Sequence, residues 1–365
     1  MSDPNSSGPL AGLRVVELAG IGPGPFAAMI LADMGADVVR IDRPVLDTPI
    51  AARYDLLRRG RRTLAIDLRT PTGRSEALAV IAHADILIEG NRPGVAERLG
   101  VGPEECWAEN PKLVYGRMTG WGQDGPLAHT AGHDITYLAL SGALHAIGSA
   151  DGPPVMPVNL LGDFGGGSMY LVSGLLAALW ETQRSGKGQV VDAAIVDGAA
   201  SLTTLLHGLV AAGSWSTDRG TNLLDGGRPW YDIYETSDHR WMAVGALEPK
   251  FFAEFCRLLP LEADESDRAD PSRWPKMKQR IANAFATRTR DEWDGVFSDT
   301  DACVAPVLSL TEAGEHPHLR YRATYLDVDG IRQPAPAPRF DRTPTVISST
   351  PAAALTSEDV LSTWR

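Results

Sequence analysis

Two side chains able to carry a proton stand thirty residues apart in glycine-rich surroundings: His133 in Ala131-Gly132-His133-Asp134-Ile135, and Asp163 in Gly162-Asp163-Phe164-Gly165-Gly166-Gly167. Imidazole serves as base or acid near neutrality. A carboxylate needs desolvation before it becomes an effective base at that pH. Facing each other across one substrate carbon, such a pair could remove a proton from one side and return it on the other. Each residue also has a structural reading. A lone histidine is more often structural than catalytic, and Asp163 is placed to cap the helix that the apolar run 169–180 predicts, where the dipole and free N–H groups stabilise negative charge. The glycines at 165–167 leave bare backbone, open to the close approach of a ligand or another chain.

Other candidates carry less. Arg53, Arg58, Arg59, Arg61 and Arg62 fall within ten residues, with Arg40 and Arg43 just upstream. Guanidinium pairs bidentately with phosphate, so the cluster reads either as an anion site suited to a polyphosphorylated nucleotide ligand or as a solvated face with ion pairs. The turn Gly20-Ile21-Gly22-Pro23-Gly24-Pro25 has dinucleotide-like glycines, but Pro23 and Pro25 remove amide donors that a phosphate cradle needs. Glu248 opens a helix; it is a favourable first-turn carboxylate or a partner for His133 from across an interface. Asp232 and Tyr234 could line the same cleft. His316 and His318 have no third ligand at metal spacing and read as surface residues.

The elements that must position these groups alternate strand and helix over the first 120 residues. Strands are expected at 13–18, 37–41, 63–68, 85–89 and 113–118, with helices at 26–34 and 73–83. That order predicts a parallel, Rossmann-like α/β sheet with ligands at strand C-termini. A strand then runs into a helix over 188–197. After it come strands at 230–236 and 241–245, helices at 249–259, 274–287 and 290–297, and a terminal helix at 357–363. The expected organisation is a large α/β domain of residues 1–205 plus 325–365, linkers at 206–229 and 319–324, and a small α+β domain at 230–318.

Composition limits the partners. The 365 residues carry a net charge of −12, which disfavours nucleic acid and anionic membrane. No apolar run is long enough to span a bilayer, no secretory or peroxisomal address is evident, and the three cysteines are widely spaced without a metal pattern. A cytoplasmic protein is expected.

Several segments together resemble the family III CoA-transferase superfamily, on its racemase branch. They include Leu10-Ala11-Gly12-Leu13-Arg14-Val15-Val16-Glu17-Leu18, Gly35-Ala36-Asp37-Val38-Val39-Arg40-Ile41-Asp42-Arg43-Pro44, Glu89-Gly90-Asn91-Arg92-Pro93-Gly94 and Arg117-Met118-Thr119-Gly120-Trp121-Gly122-Gln123. The two opening segments, Gly186-Lys187-Gly188-Gln189-Val190-Val191-Asp192 and Asp225-Gly226-Gly227 extend the match over nearly the whole chain.

The resemblance implies an interlocked homodimer. CoA would lie on the large domain of one subunit, and the site would close against the small domain of the other. It implies CoA contacts at Arg43, Ala65, Ile66, Asp67, Leu68, Arg92, Gly132, Asp134, Ile135 and Tyr137. His133 and Asp163 would be the two acid/base groups, and Glu248 would come from the partner subunit to lie near the histidine. The implied reaction interconverts (R)- and (S)-2-methylacyl-CoA thioesters through an enolate, with His133 the base in the S-to-R direction. Backbone N–H groups at the start of the Phe164 helix would hold the oxyanion, and apolar residues around 156–161 would let the acyl chain slide. Acyl-CoA is then the substrate, with no metal or redox cofactor. A transferase, using Asp163 as nucleophile on the thioester, is the alternative; it needs no base at His133. A non-catalytic CoA-binding protein would likewise have no use for His133.

Overall fold

The computed structural model describes residues 7–43, 51–259, 261, 265–345, 347 and 355–364. Two units emerge: residues 1–143, 157–203 and 321–365 form the first, and 144–156 with 204–320 form the second.

The first unit is built on six strands: β1 (Arg14–Leu18), β2 (Asp37–Asp42), β3 (Arg61–Ala65), β4 (Ile86–Glu89), β5 (Val114–Thr119) and β6 (Val190–Ala194). All pair in parallel, in the order β3-β2-β1-β4-β5-β6. A period of two sends neighbouring residues to opposite faces. Val15, Val38, Ile86 and Ile88 therefore join one apolar core, and Val16, Val39 and Leu87 another. Both faces are covered, which is why Val15-Val16, Val38-Val39 and Ile86-Leu87-Ile88 run apolar without alternation. Helix α1 (Pro23–Asp33) and the long helix α4 (Met169–Ser185) pack on the first face; α2 (Pro71–Ile81) and the C-terminal helix Ser357–Trp364 pack on the second.

Three elements at the C-terminal edge of the sheet matter most. Helix α3 spans Asp134–Ser141, a π-helical segment spans Leu160–Ser168 and runs into α4, and α5 spans Ile195–Leu202. The π segment fits because Gly166 lies against α5. A Cβ on Gly198 would collide with the Gly166 carbonyl, and one on Gly166 would come within 2.7 Å of the Ala199 nitrogen. The glycines expected to bare backbone for a ligand or another chain thus serve partly an internal helix crossing.

The second unit holds a three-stranded antiparallel sheet, β7 (Tyr231–Glu235), β8 (Trp241–Gly245) and β9 (Val304–Pro306), with an aromatic core of Phe252, Phe255, Phe285, Trp293 and Phe297. Two stretches depart from the expected boundaries. Leu144–Met156 groups with this unit because the Arg219 guanidinium donates to the carbonyls of His145, Ser149 and Gly152 at 3.1, 3.2 and 2.6 Å. Within the expected linker, Thr204–Ala211 is helical. Strand β3 also starts earlier than expected, at Arg61, since its register with β2 pairs Val38 with Arg61 and Asp42 with Ala65.

Candidate active site

In this strand order the connections leave β1 toward β2 and β4 toward β5, so a crevice opens between β1 and β4 at their C-terminal ends. Open parallel sheets bind ligands at that switch point. A cavity of about 360 Å³ lies there. Its walls come from the turn after β1 (Gly20 to Pro25), the turn after β4 (Gly90 to Pro93), the segment after β5 (Thr119 to Trp121), and residues 130–133 with Tyr137. His133 and Asp163 both line it.

His133 is the N-cap residue of α3. Its backbone N–H donates to the Thr136 hydroxyl at 3.0 Å, and its carbonyl accepts the Thr136 N–H at 2.8 Å. The cap therefore ties the His133 main chain to Thr136. The side chain is exposed to the cavity mouth.

Asp163 sits inside the first turn of the π segment, whose N-cap is Asn159, so it is not the cap that its sequence position suggests. Its carboxyl is pushed up to about 6. Burial is the main cause, the nearby Asp134 charge adds to it, and the Asn159 hydrogen bond and His133 oppose it. Gly22, at φ 73°, leaves room for the carboxylate: a Cβ there would lie 3.4 Å from Asp163 Oδ2. Phe164 turns away and stacks on Phe26 of α1, ring centres 4.3 Å apart. The Ser168 hydroxyl donates to the Pro23 carbonyl at 2.7 Å and to the Asp163 carbonyl at 3.0 Å, pinning the wide turn to α1.

The expected oxyanion donors are already used. The Asp163 N–H donates to Asp134 Oδ1 at 2.7 Å, and the Gly162 N–H lies near the same carboxylate. The Phe164 N–H donates to the Asn159 carbonyl at 3.3 Å, one residue further back than in an α-helix. Negative charge in the cavity instead faces the N-terminus of α1, where Pro23 and Pro25 lack an N–H and Gly24 is the donor among the first three positions.

Of the other expected contacts, Arg92, Gly132 and Tyr137 line the same cavity. Tyr137 meets Trp121 edge-on at 4.7 Å, and Gly120 and Gly132 are bare where the ring passes. Trp121, whose type alone carries no site signal, also lines the cavity, and its Nε1 is buried with no hydrogen-bond partner among the described residues. Asp134 is buried behind the cavity, and Ile135 is exposed on the same turn. Arg43, Ala65, Ile66, Asp67 and Leu68 occupy the C-terminal ends of β2 and β3, where Arg43 is exposed and its charge, after that of Arg69, helps hold Asp67 below the usual carboxylate range. Ile66 is buried in the core. Glu248 caps the helix Pro249–Leu258 in the second unit, and Asp232 there pairs with Lys278.

The arginine cluster resolves toward structure. Glu17 takes Arg40 at 2.8 Å and also Arg61; Asp42 takes Arg58 at 2.8 Å and Arg40 at 3.1 Å; Asp33 takes Arg59 at 2.5 Å. Arg62 bonds Asp37 at 3.0 Å, and Arg53 lies over the Tyr54 ring. The buried members are committed to carboxylates. Among the described residues, no group of three His, Cys, Asp or Glu side chains could hold a metal ion, and no helix is long and apolar enough to cross a membrane.

Known proteins resemble the chain over nearly its whole length. The sequence profile of CoA-transferase family III matches residues 10–355. The α-methylacyl-CoA racemase of Mus musculus is 46% identical over 342 residues, 93% of this chain and 88% of the relative. That of Homo sapiens is 44% identical over 343 residues, with the same coverage. The crystal structure of a CAIB/BAIF family protein from Brucella suis superposes with a TM-score of 0.84, covering 98% of this chain and 100% of that one at 25% identity.

Proposed function

The chain belongs to CoA-transferase family III, and on that premise we propose that it is a racemase of 2-methylacyl-CoA thioesters, with His133 and Asp163 as its two acid/base groups. One observation carries the residue assignment: a histidine and a carboxyl pushed up to about 6 line a single cavity at the switch point of the sheet.

A thioester acidifies its α-carbon only weakly, so a base must act on a bound, oriented substrate. One group takes the α-proton. The electron pair moves onto the thioester oxygen as an enolate, and the conjugate acid on the other face returns a proton to carbon. Two groups that exchange roles should not differ greatly in basicity. Burial of Asp163 beside Asp134 moves the carboxyl toward the range in which imidazoles as a class titrate. The α1 N-terminus is the element suited to the developing oxyanion. Arg92 at the cavity and Arg43 at the sheet edge are the cations we assign to the CoA phosphates. The exposed side chains of Val158 and Leu160 supply an apolar path for the acyl chain.

The reaction moves only a proton and is balanced without a redox or metal cofactor. The apolar side chains exposed on the first unit, among them Leu140 and Trp180, support burial against a second copy, and an interlocked homodimer with Glu248 supplied by the partner is the arrangement we assign. A reducing cytoplasm suits its free cysteines. A CoA-transferase using Asp163 as nucleophile would have no task for a second base, and the imidazole at the cavity favours racemisation over it.

Proton NMR of a 2-methylacyl-CoA in D2O tests the proposal. Loss of the α-proton signal and collapse of the 2-methyl doublet, both slowed in His133→Ala and Asp163→Asn, is the expected result. A persistent α-proton, with CoA passing to an added carboxylic acid, would replace racemisation by transfer.

A further inference from the structure

Asp134 is next to one base in sequence and bonded to the other base's backbone in space. Its Oδ1 accepts the Asp163 N–H at 2.7 Å, and the Gly162 N–H lies close enough to favour the charged carboxylate. A side chain at Gly162 would collide with that carboxylate, so the glycine there permits the contact. Oδ2 is buried with no hydrogen-bond partner among the described residues, and the whole residue is 9% exposed. Such an arrangement is costly: a carboxylate held in a poor dielectric with half its acceptors unused. A neutral Asn or Ser could cap the turn without that cost.

We propose that Asp134 is a positioning residue that ties the His133 cap of α3 to the π segment, fixing the two bases relative to each other and setting a second carboxylate beside Asp163. The proposal rests on the two-base reading above and departs from the expectation that Asp134 contacts CoA.

The field at Asp163 is simple enough for the charge to matter. From α3 and its cap come His133, Asp134 and Tyr137; the turn after β4 brings Arg92 alongside Tyr137. The Asn159 side chain is the polar neighbour on the π segment itself. Helix α5 offers Asp197, whose charge acts on Asp192, and Asp33 at the far end of α1 is engaged by Arg59. Asp134 is the one acidic neighbour among those raising the Asp163 carboxyl, second only to burial. Buried like charges that cannot both ionise freely are a general means of holding a proton on one of them.

Two variants separate the roles. Asp134→Asn keeps an oxygen to accept the Asp163 N–H and removes the charge. Asp134→Ala removes both. In the resting protein, labelled at the aspartate carboxyl carbons and assigned with Asp163→Asn, the Asp163 carboxyl signal should titrate at lower pH in Asp134→Asn than in the wild type. In α-proton exchange, the acid limb of Asp134→Asn should move down with it, so that the variant keeps a larger share of its maximum at pH 5. Asp134→Ala should lose about tenfold in kcat, with KM for the thioester nearly unchanged, as expected for misplacement of a reacting group. An unshifted Asp163 titration in Asp134→Asn overturns the proposal. So does a rise in KM alone in both variants, which would return Asp134 to the CoA contacts. Absence of exchange in the wild type would overturn the racemase reading, while the carboxyl titration would still decide this one.

Discussion

Two regions of one sheet bury charge, and they do so with opposite neighbours. Under β1, β2 and β3, each buried arginine meets a carboxylate: Arg40 and Arg61 on Glu17, Arg58 on Asp42, Arg59 on Asp33. In the crevice between β1 and β4, the half-buried carboxyl of Asp163 lies in the field of another carboxylate, Asp134, and the opposing His133 charge is the weakest of its influences. Strand register explains the pairs on Glu17. Parallel pairing sets Glu17 opposite Arg40 and Arg40 opposite Thr63, so side chains on neighbouring strands meet in rows. Loop and helix ends explain the second region, since no ladder dictates what faces Asp163. A desolvated charge with a matched counter-ion is inert and holds the sheet edge together. A desolvated charge facing its like is a proton-holding group.

The sharpest way to break this contrast is to delete a charge from each region. Asp163→Asn should lower kcat for α-proton exchange by about 10³-fold, in the range general acid–base groups contribute. Its folded state should not suffer. Asp163 is protonated more readily folded than unfolded, so its contribution to stability falls as pH rises from about 4 toward 6. The Asn variant should lack that decline, which urea unfolding at pH 4 and pH 7 would reveal. Glu17→Ala should do the reverse: it leaves Arg40 and Arg61 without Glu17 and should cost about 3–5 kcal/mol of stability, read as a lower denaturation midpoint, with exchange per folded molecule retained.

Smaller effects sharpen the comparison. Gly162→Ala drives a methyl into the Asp134 carboxylate and should reduce kcat by about 10²-fold, because misplacing a reacting group by an ångström costs that much. Gly198→Ala, which collides with Gly166 further from the bases, should instead show as a loss of about 1–3 kcal/mol in thermal unfolding. The pH profile supplies the last test. As proposed, the His133–Asp163 pair holds one proton in either direction, so both epimers should give the same bell-shaped kcat/KM curve, with an acid limb near the Asp163 value of about 6. Different bells for the two epimers would mean that a single group, rather than a shared proton, governs the reaction.

Much of the scaffold was legible. Apolar strands separated by helical stretches gave a parallel sheet because both of its faces must be covered, and Trp241–Gly245 and Arg290–Phe297 fall where turn residues bracket them. The π segment was not legible. Its glycines signalled close approach, but whether a ligand or α5 approaches depends on chain brought back from thirty residues away. The buried arginines are engaged for a similar reason: strand pairing sets Arg40 and Arg61 on Glu17, and the end of α1 brings Asp33 to Arg59 from 26 residues away.

His133 and Asp163, with their glycine settings, were written in the sequence, since residue type fixes which groups can exchange a proton near neutrality. The order β3-β2-β1-β4-β5-β6 decided the rest. It opened the crevice that both residues line, and it folded Asp134 behind Asp163. Basicity belongs to an environment, and an environment is assembled from segments that sequence distance keeps apart.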